Sequence, residues 1–270
     1  MALKDITLGQ YFPGSSVVHR LDPRTKLLLT VVYIVALFLC SHVVSYAVML
    51  LTLIACILAS QVGFRPILRG MKPIFFIACI TGLLNLFYTK GEGAPLVSFW
   101  VLEIYPEGIW AAVFMVLRIG MLICGTFLLT YTTSPILLTD GLESLLSPLK
   151  KLHAPIHELA MMMSIALRFI PTLIEETDKI MSAQKARGAD FDTGSLLQRA
   201  RALVPLLVPL FISAFRRADE LAVAMECRCY HGGEGRTRLR QLKYARRDVI
   251  ALAGGAAIAV LVGVLGHFGL

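Results

Sequence analysis

Apolar residues fall into long blocks along this chain, and those blocks set the first structural expectation. Leu27–Cys40 and Tyr46–Ser60 are two uncharged apolar runs parted by Ser41-His42-Val43-Val44-Ser45. Each run is shorter than the roughly 20 residues a membrane helix needs, so both helices must borrow flanking residues. Ahead of them stands Leu21-Asp22-Pro23-Arg24-Thr25-Lys26, with Asp22 as N-cap and Pro23 at the first helical position. Gln61–Lys72 carries Arg65, Arg69 and Lys72 and reads as a short positive loop on the cytoplasmic side. Pro73–Tyr88 is the third predicted crossing. Thr89–Gly108 follows as an outer loop with Glu92, Glu103 and Glu107 beside Trp100, Tyr105 and Trp110. Ile109–Tyr131 is the fourth crossing, interrupted only by Arg118. A charge at mid-membrane costs about 2.5–3.5 kcal/mol on insertion scales, so Arg118 is expected to face protein, in a buried structural ion pair. Asp248–Leu270, rich in Gly and Ala, is the last crossing, which puts the N-terminus inside and the C-terminus outside.

Between the fourth and last crossings the pattern changes. Ser134-Pro135 starts a short amphipathic helix over Ile136–Lys151, with Leu138, Leu142, Leu145, Leu146 and Leu149 on one face. Two long helices follow between Pro155 and His231, each of about thirty residues and roughly 45–50 Å. Leu159–Ile174 is apolar, but Arg168 and Pro171 interrupt it, and Ala202–Phe215 contains Pro205 and Pro209. A helical hairpin with apolar middles and charged ends fits these better than two further crossings. Its apolar faces, represented by Met161, Met162, Met163, Leu206, Leu207 and Leu210, are candidates for docking a partner. The expected organisation is therefore a membrane part over 1–133, a cytoplasmic helical part over 134–247 and a final membrane helix over 248–270.

Composition agrees with the blocks. Hydrophobic residues make up 57% of the 270, and the mean hydropathy of +0.73 belongs to an integral membrane protein. The net charge of +8 then marks membrane-proximal segments before it marks nucleic acid. Of 26 basic residues, 17 lie between Ser134 and Arg247, with 12 of the 18 acidic ones, so that region faces water. The run Arg236, Arg238, Arg240, Lys243, Arg246 and Arg247 suits anionic lipid, and only Tyr230 and Tyr244 are near enough to stack on a base, which argues against RNA. The six cysteines give no disulfide framework, since four sit inside apolar runs.

Catalytic signatures are missing. There is no phosphate-binding Gly-x-x-x-x-Gly-Lys loop, no Gly-x-Ser-x-Gly elbow and no His-Glu-x-x-His helix. His153 and His157 flank Pro155, and Cys227, Cys229 and His231 alternate closely; ordinary packing outweighs a metal site at both places, and no cofactor is expected. What does stand out is a repeated ending. The two long helices close on Ala183-Gln184-Lys185-Ala186-Arg187-Gly188 and Ala224-Met225-Glu226-Cys227-Arg228-Cys229, each with one arginine among small residues. A single arginine at a helix C-terminus needs only the dipole to explain it. Two matched ones, held far apart on one frame, suit a partner with two similar sockets.

These residues carry a resemblance. The chain resembles the transmembrane (T) component of energy-coupling factor transporters, through Leu21–Lys26, Thr133-Ser134-Pro135 to Leu149, Ala166-Leu167-Arg168-Phe169-Ile170-Pro171, Ala186-Arg187-Gly188 and Ala224 through Gly233. The resemblance implies an all-α integral membrane protein in the cell membrane, with about five crossings plus two coupling helices. It further implies that Ala186, Arg187, Gly188 and Cys227, Arg228, Cys229 dock two ABC-type ATPase subunits, one arginine into each. The same helices would carry a substrate-binding (S) protein for vitamin or other micronutrient uptake. Such a chain hydrolyses no ATP itself. One departure is visible: the family's second motif usually has Ala and Gly around its arginine, where this chain has Cys227 and Cys229. The competing expectation is an integral membrane enzyme acting on lipid near His153, His157 and Glu158.

Overall fold

The computed structural model describes residues 11–88, 97–99, 102–152, 155–189, 191, 195–232 and 241–268. Glu92, Trp100, His153, Arg236, Arg238 and Arg240 of the sequence reading lie outside them. Among the described residues the regular structure is helical except for one short hairpin, and the chain divides into two compact units.

The first unit comprises Gly9–Gly141 and Leu242–Leu270. It contains α1 (Pro23–Leu39), α2 (Val43–Ser60), α3 (Phe64–Tyr88), α4 (Pro106–Thr132) and α8 (Arg246–Phe268). β1 (Val97–Phe99) and β2 (Leu102–Ile104) pair antiparallel, Val97 opposite Ile104, so a hairpin occupies part of the expected outer loop. Its core gathers Ala36, Leu37, Met49, Leu53, Ile57, Met121, Tyr131 and Val262. Tyr46 stacks on Phe114 with ring centroids 4.9 Å apart. Gly125 lets α1 come close: a Cβ there would lie 2.6 Å from the ring of Tyr33. Much of the remaining apolar surface is exposed, Phe75, Phe76, Ile77, Leu83 and Leu84 on α3 among it, as a lipid-facing protein requires.

Four helices, α2, α4, α6 (Ile156–Ala186) and α8, are long and apolar enough to cross a membrane, or five if the bent α3 counts as one span. Two expectations shift. The predicted basic loop is helical: Phe64–Lys72 continues into Ile74–Tyr88 across a 58° bend. Pro73 sits at that bend, where its missing N–H breaks the hydrogen-bond ladder. At 17 residues α1 covers about 25 Å, less than the roughly 30 Å hydrocarbon layer, so it is the short member of the set.

Arg118 corrects another expectation. It turns into protein, but no carboxylate meets it among the described residues. Its Nε donates to the Tyr46 hydroxyl at 2.8 Å and its Nη2 to the Cys40 carbonyl at 3.0 Å. Cys40 caps the C-terminus of α1, so the negative end of that helix takes the place of an acidic partner.

The helix starts at the opposite end are tied together more tightly than the sequence suggested. Asp22 does cap α1, accepting from Arg24 N at 3.0 Å. Asp248, 1% exposed, then accepts from Asp22 N and from Ala245 N, both at 2.8 Å, and so clamps the start of α8 to the start of α1. Lys26 is buried too and donates to the Thr132 carbonyl at 2.8 Å, the Thr133 hydroxyl at 3.2 Å and the His19 carbonyl at 3.3 Å. Arg24 pairs with Asp22 at 3.0 Å and lies 4.1 Å over the Tyr244 ring.

The second unit is built on Leu142–Gln241 and holds α6 and α7 (Leu196–Glu226). The amphipathic helix that precedes them is α5 (Pro135–Leu146), which passes into a 3-10 turn over Ser147–Leu152 instead of running on to Lys151. Pro148, within that turn, brings no N–H to continue an α-helical ladder. Glu143, buried, accepts from His157 Nδ1 at 3.1 Å, which packs the start of α6 onto this segment.

Candidate functional site

α6 and α7 are 31 residues each and run antiparallel, as two cross-links show. Arg217 Nη2 meets Glu176 Oε2 at 3.2 Å, and Gln184 Nε2 donates to the Pro205 carbonyl at 3.4 Å. The second link has a covalent origin. Pro209 has no N–H, so the Pro205 carbonyl lacks the donor that a helix would normally supply four residues on. Gln184 fills that vacancy from the neighbouring helix. α7 opens with a reciprocal cap, Ser195 N donating to Gln198 Oε1 at 2.9 Å and Gln198 N to Ser195 Oγ at 3.4 Å.

Both helices end in the same hydrogen-bonded motif, and the two arginines occupy the same station in it. At the end of α6, Arg187 N donates to Gln184 O at 3.1 Å, Gly188 N to Lys185 O at 3.0 Å and Ala189 N to Gln184 O at 3.0 Å. At the end of α7, Arg228 N donates to Met225 O at 3.1 Å, Cys229 N to Glu226 O at 2.9 Å and Tyr230 N to Met225 O at 3.1 Å. Cys227 is still helical, with φ −60° and ψ −21° and its N–H on Val223 O at 2.9 Å, so Arg228 is the cap residue as Arg187 is. Each is a Schellman closure, whose next residue must take the left-handed conformation. Gly188 does so at φ +89° and Cys229 at φ +55°.

Arg187 and Arg228 are both exposed, and neither guanidinium makes an ion pair or hydrogen bond among the described residues. Ala186, Gly188, Cys227 and Cys229 are exposed as well, so the residues on either side of each arginine are small. Antiparallel packing puts the two caps toward opposite ends of the pair. With Gln184 beside Pro205 and Glu176 beside Arg217, Arg228 lies level with the α6 turn near Met162 and Met163, about 24 residues or roughly 36 Å of helix from Arg187. Cys229 is the strained member, since a left-handed residue with a Cβ costs about 1 kcal/mol relative to glycine. Cys229→Gly is therefore expected to raise the thermal midpoint slightly, measured by thermal unfolding of the purified chain.

Of the expected apolar surface, Met162 and Met163 are exposed and Met161 is half-buried. Leu207 is exposed and Leu210 half-buried, whereas Leu206 is 5% exposed and packs inward. Leu206 is thus a packing residue, because its neighbour one position on takes the outward face. The larger outward strip lies beside it on α7, where Val204, Val208, Phe211, Ile212 and Phe215 recur at helical spacing. A second feature unseen in the sequence is an apolar groove of about 460 Å³ between the two helices, lined by Ile165, Phe169, Leu173, Leu221, Met225 and Tyr230. Tyr230 both closes the α7 cap and lines this groove.

His157 spends its Nδ1 on Glu143, and Glu158 lies on the exposed side of α6. His231 Nδ1 lies 2.9 Å from the Cys229 carbonyl. Among the described residues no three His, Cys, Asp or Glu side chains come together as metal ligands.

Residues 14–239 match the family described as cobalt transport protein. The energy-coupling factor transporter transmembrane protein of Clostridium kluyveri is 57% identical over 249 residues, 92% of each chain. That of Thermosediminibacter oceani is 55% identical over 258 residues, covering 96% of this chain and 97% of its own, and that of Bacillus subtilis 49% over 260 residues, covering 96% and 98%. The chain belongs to the energy-coupling factor transporter transmembrane proteins. As such it is a multi-pass membrane component of a transport system, and the relatives carry a transporter's name and not an enzyme's.

Proposed function

We propose that this chain is the non-catalytic coupling subunit of an ATP-driven uptake transporter in the cell membrane. Arg187 and Arg228, with Ala186, Gly188, Cys227 and Cys229 around them, dock one each into two ABC-type ATPase subunits. The exposed faces of α6 and α7, including Met162, Met163 and Leu207, carry a substrate-binding S component for a vitamin or another micronutrient. Residues 1–133 and 248–270 anchor the assembly in lipid with the N-terminus in the cytoplasm, and 134–247 form the coupling layer.

One observation supports this reading: two matching helix closures, toward opposite ends of one antiparallel pair, each present an exposed arginine with no ion pair among the described residues. A carboxylate in a partner's socket can grip such a guanidinium through two parallel hydrogen bonds. ATP binding draws the two ATPase subunits together, the sockets move, and the ends of α6 and α7 move with them. Gln184 transmits that displacement, since it sits in the last turn before Arg187 and hydrogen-bonds the proline notch of α7. Gln184→Leu should slow transport several-fold while ATPase binding persists, because about 1 kcal/mol of helix-to-helix coupling is lost without any change at the caps. Transport assays beside co-purification separate the two effects. The carrying experiment is charge reversal at both arginines, with recovery of ATPase subunits and uptake as its readouts.

A further inference from the structure

The membrane unit contains a cavity that the coupling mechanism leaves unused. It measures about 350 Å³ and lies between α1, α2, α4 and α8, with Tyr33, Ala36, Met49, Leu53, Leu128 and Ile258 on its walls. Polar atoms border it, but they are already engaged. Thr30 Oγ1 donates to Lys26 O at 2.9 Å, Thr52 Oγ1 to Val48 O at 2.8 Å and the Tyr33 hydroxyl to Met121 O at 3.3 Å. A water molecule needs two to four polar partners, and a polar solute needs at least as many; the lumen offers neither.

Its shape and its charge select the occupant. Along α1 the lining runs from Lys26 to Ala36, ten residues or about 15 Å, which is half of the roughly 30 Å hydrocarbon layer. One leaflet's acyl chain has that reach. Lys26 stands at one end of the cavity beside Leu21 and Thr132, and its ammonium is held by two carbonyls and a hydroxyl with no carboxylate in contact among the described residues. The same end carries Arg246 and Arg247 at the start of α8. The opposite end is apolar.

We propose that this cavity is a binding site for a single anionic phospholipid, one acyl chain lying between α1, α2, α4 and α8 and the phosphate at the Lys26 end. The bound chain covers an apolar groove that is open on one side and adds dispersion contacts to the helices that line it. Gly254 on α8 lines the cavity, and a side chain added there meets nothing within 4 Å. Gly263 on the same helix is equally open but is absent from the lining, which makes it the matched control.

The test uses the full-length protein purified in a detergent that strips loosely held lipid. Native mass spectrometry counts retained phospholipid, and thermal midpoints are recorded before and after adding dioleoyl phosphatidylglycerol or dioleoyl phosphatidylcholine. Wild type and Gly263→Leu should each keep one anionic lipid and be stabilised by phosphatidylglycerol well above phosphatidylcholine. Gly254→Leu should elute as a folded species, lose the lipid, and weaken phosphatidylglycerol binding by about tenfold or more as its side chain displaces several methylenes. Ala251→Phe, also on the lining, supplies a second filled cavity should Gly254→Leu express poorly. Equal lipid retention by filled and control variants would overturn the site. Equal stabilisation by the two lipids would overturn its headgroup end.

Discussion

Membranes from cells carrying the double variant Arg187→Glu, Arg228→Glu should show no uptake above background and no co-purifying ATPase. Each arginine is exposed and makes no ion pair or hydrogen bond among the described residues, so reversing it is expected to leave this chain's own stability nearly unchanged. The cost appears only in the complex. Truncating one member of a buried interfacial charge pair typically costs 2–5 kcal/mol or more, and reversal adds repulsion to that loss. Two such sites exceed what a complex of ordinary affinity can absorb. The single variants should retain partial ATPase recovery, because the second cap still holds. Wild-type recovery and uptake in the double variant would remove the docking mechanism, while loss of the chain itself from the membrane would point to a folding role that the exposed geometry does not predict.

Replacing Asp248 should unfold the membrane unit at a far lower temperature. Its carboxylate accepts two main-chain N–H groups, Asp22 N and Ala245 N, in a site closed to solvent. Hydrogen bonds to a charged group contribute about 1.5–3 kcal/mol each, and a stranded buried donor costs a further 1–3 kcal/mol, so Asp248→Ala should lose on the order of 4 kcal/mol. Asp248→Asn should fall between wild type and Asp248→Ala. Its amide oxygen can still accept from one N–H while its NH2 faces the other as donor against donor. Thermal unfolding of the purified chain in detergent ranks the three. A midpoint for Asp248→Ala within a degree or two of wild type would show that water replaces the carboxylate.

Much of this architecture could be read from residue order, and the exceptions have physical causes. Apolar blocks located α2, α3, α4 and α8 because a helix in lipid has to be apolar over most of its surface. By contrast α1, read as a crossing, is too short to count with them, and α6, read as part of a cytoplasmic hairpin, is long and apolar enough to cross. Asp22-Pro23 located the start of α1 because cap and first-turn proline are local chemistry. The repeated Arg endings located the two caps for the same reason. Long-range partnerships were invisible. Asp248 was read simply as the first residue of a crossing, since nothing near it in the chain reveals that Asp22, 226 residues away, needs an acceptor. Arg118 was given an acidic partner because sequence displays side chains, whereas the structure satisfies it with a helix end and a hydroxyl. Leu206 was grouped with Leu207 as surface because the phase of a helix near two prolines is hard to fix from composition. The link from Gln184 to Pro205 lay in plain view as a missing N–H at Pro209, but only antiparallel packing shows which side chain arrives.

The paired caps carry a consequence for symmetry. Two antiparallel helices that finish in the same closure are related by an approximate dyad perpendicular to their length, so one half-turn exchanges Arg187 with Arg228. A motor made of two like halves around its own two-fold axis can meet that frame with both halves at once. The exchange is imperfect, however. Lys185 precedes one arginine by two positions and Glu226 the other, and Gly188-Ala189 on one side answers to Cys229-Tyr230 on the other. A half that favours acidic surroundings and a half that favours basic ones would therefore settle in a single orientation, which gives a nearly symmetric frame the means to tell left from right.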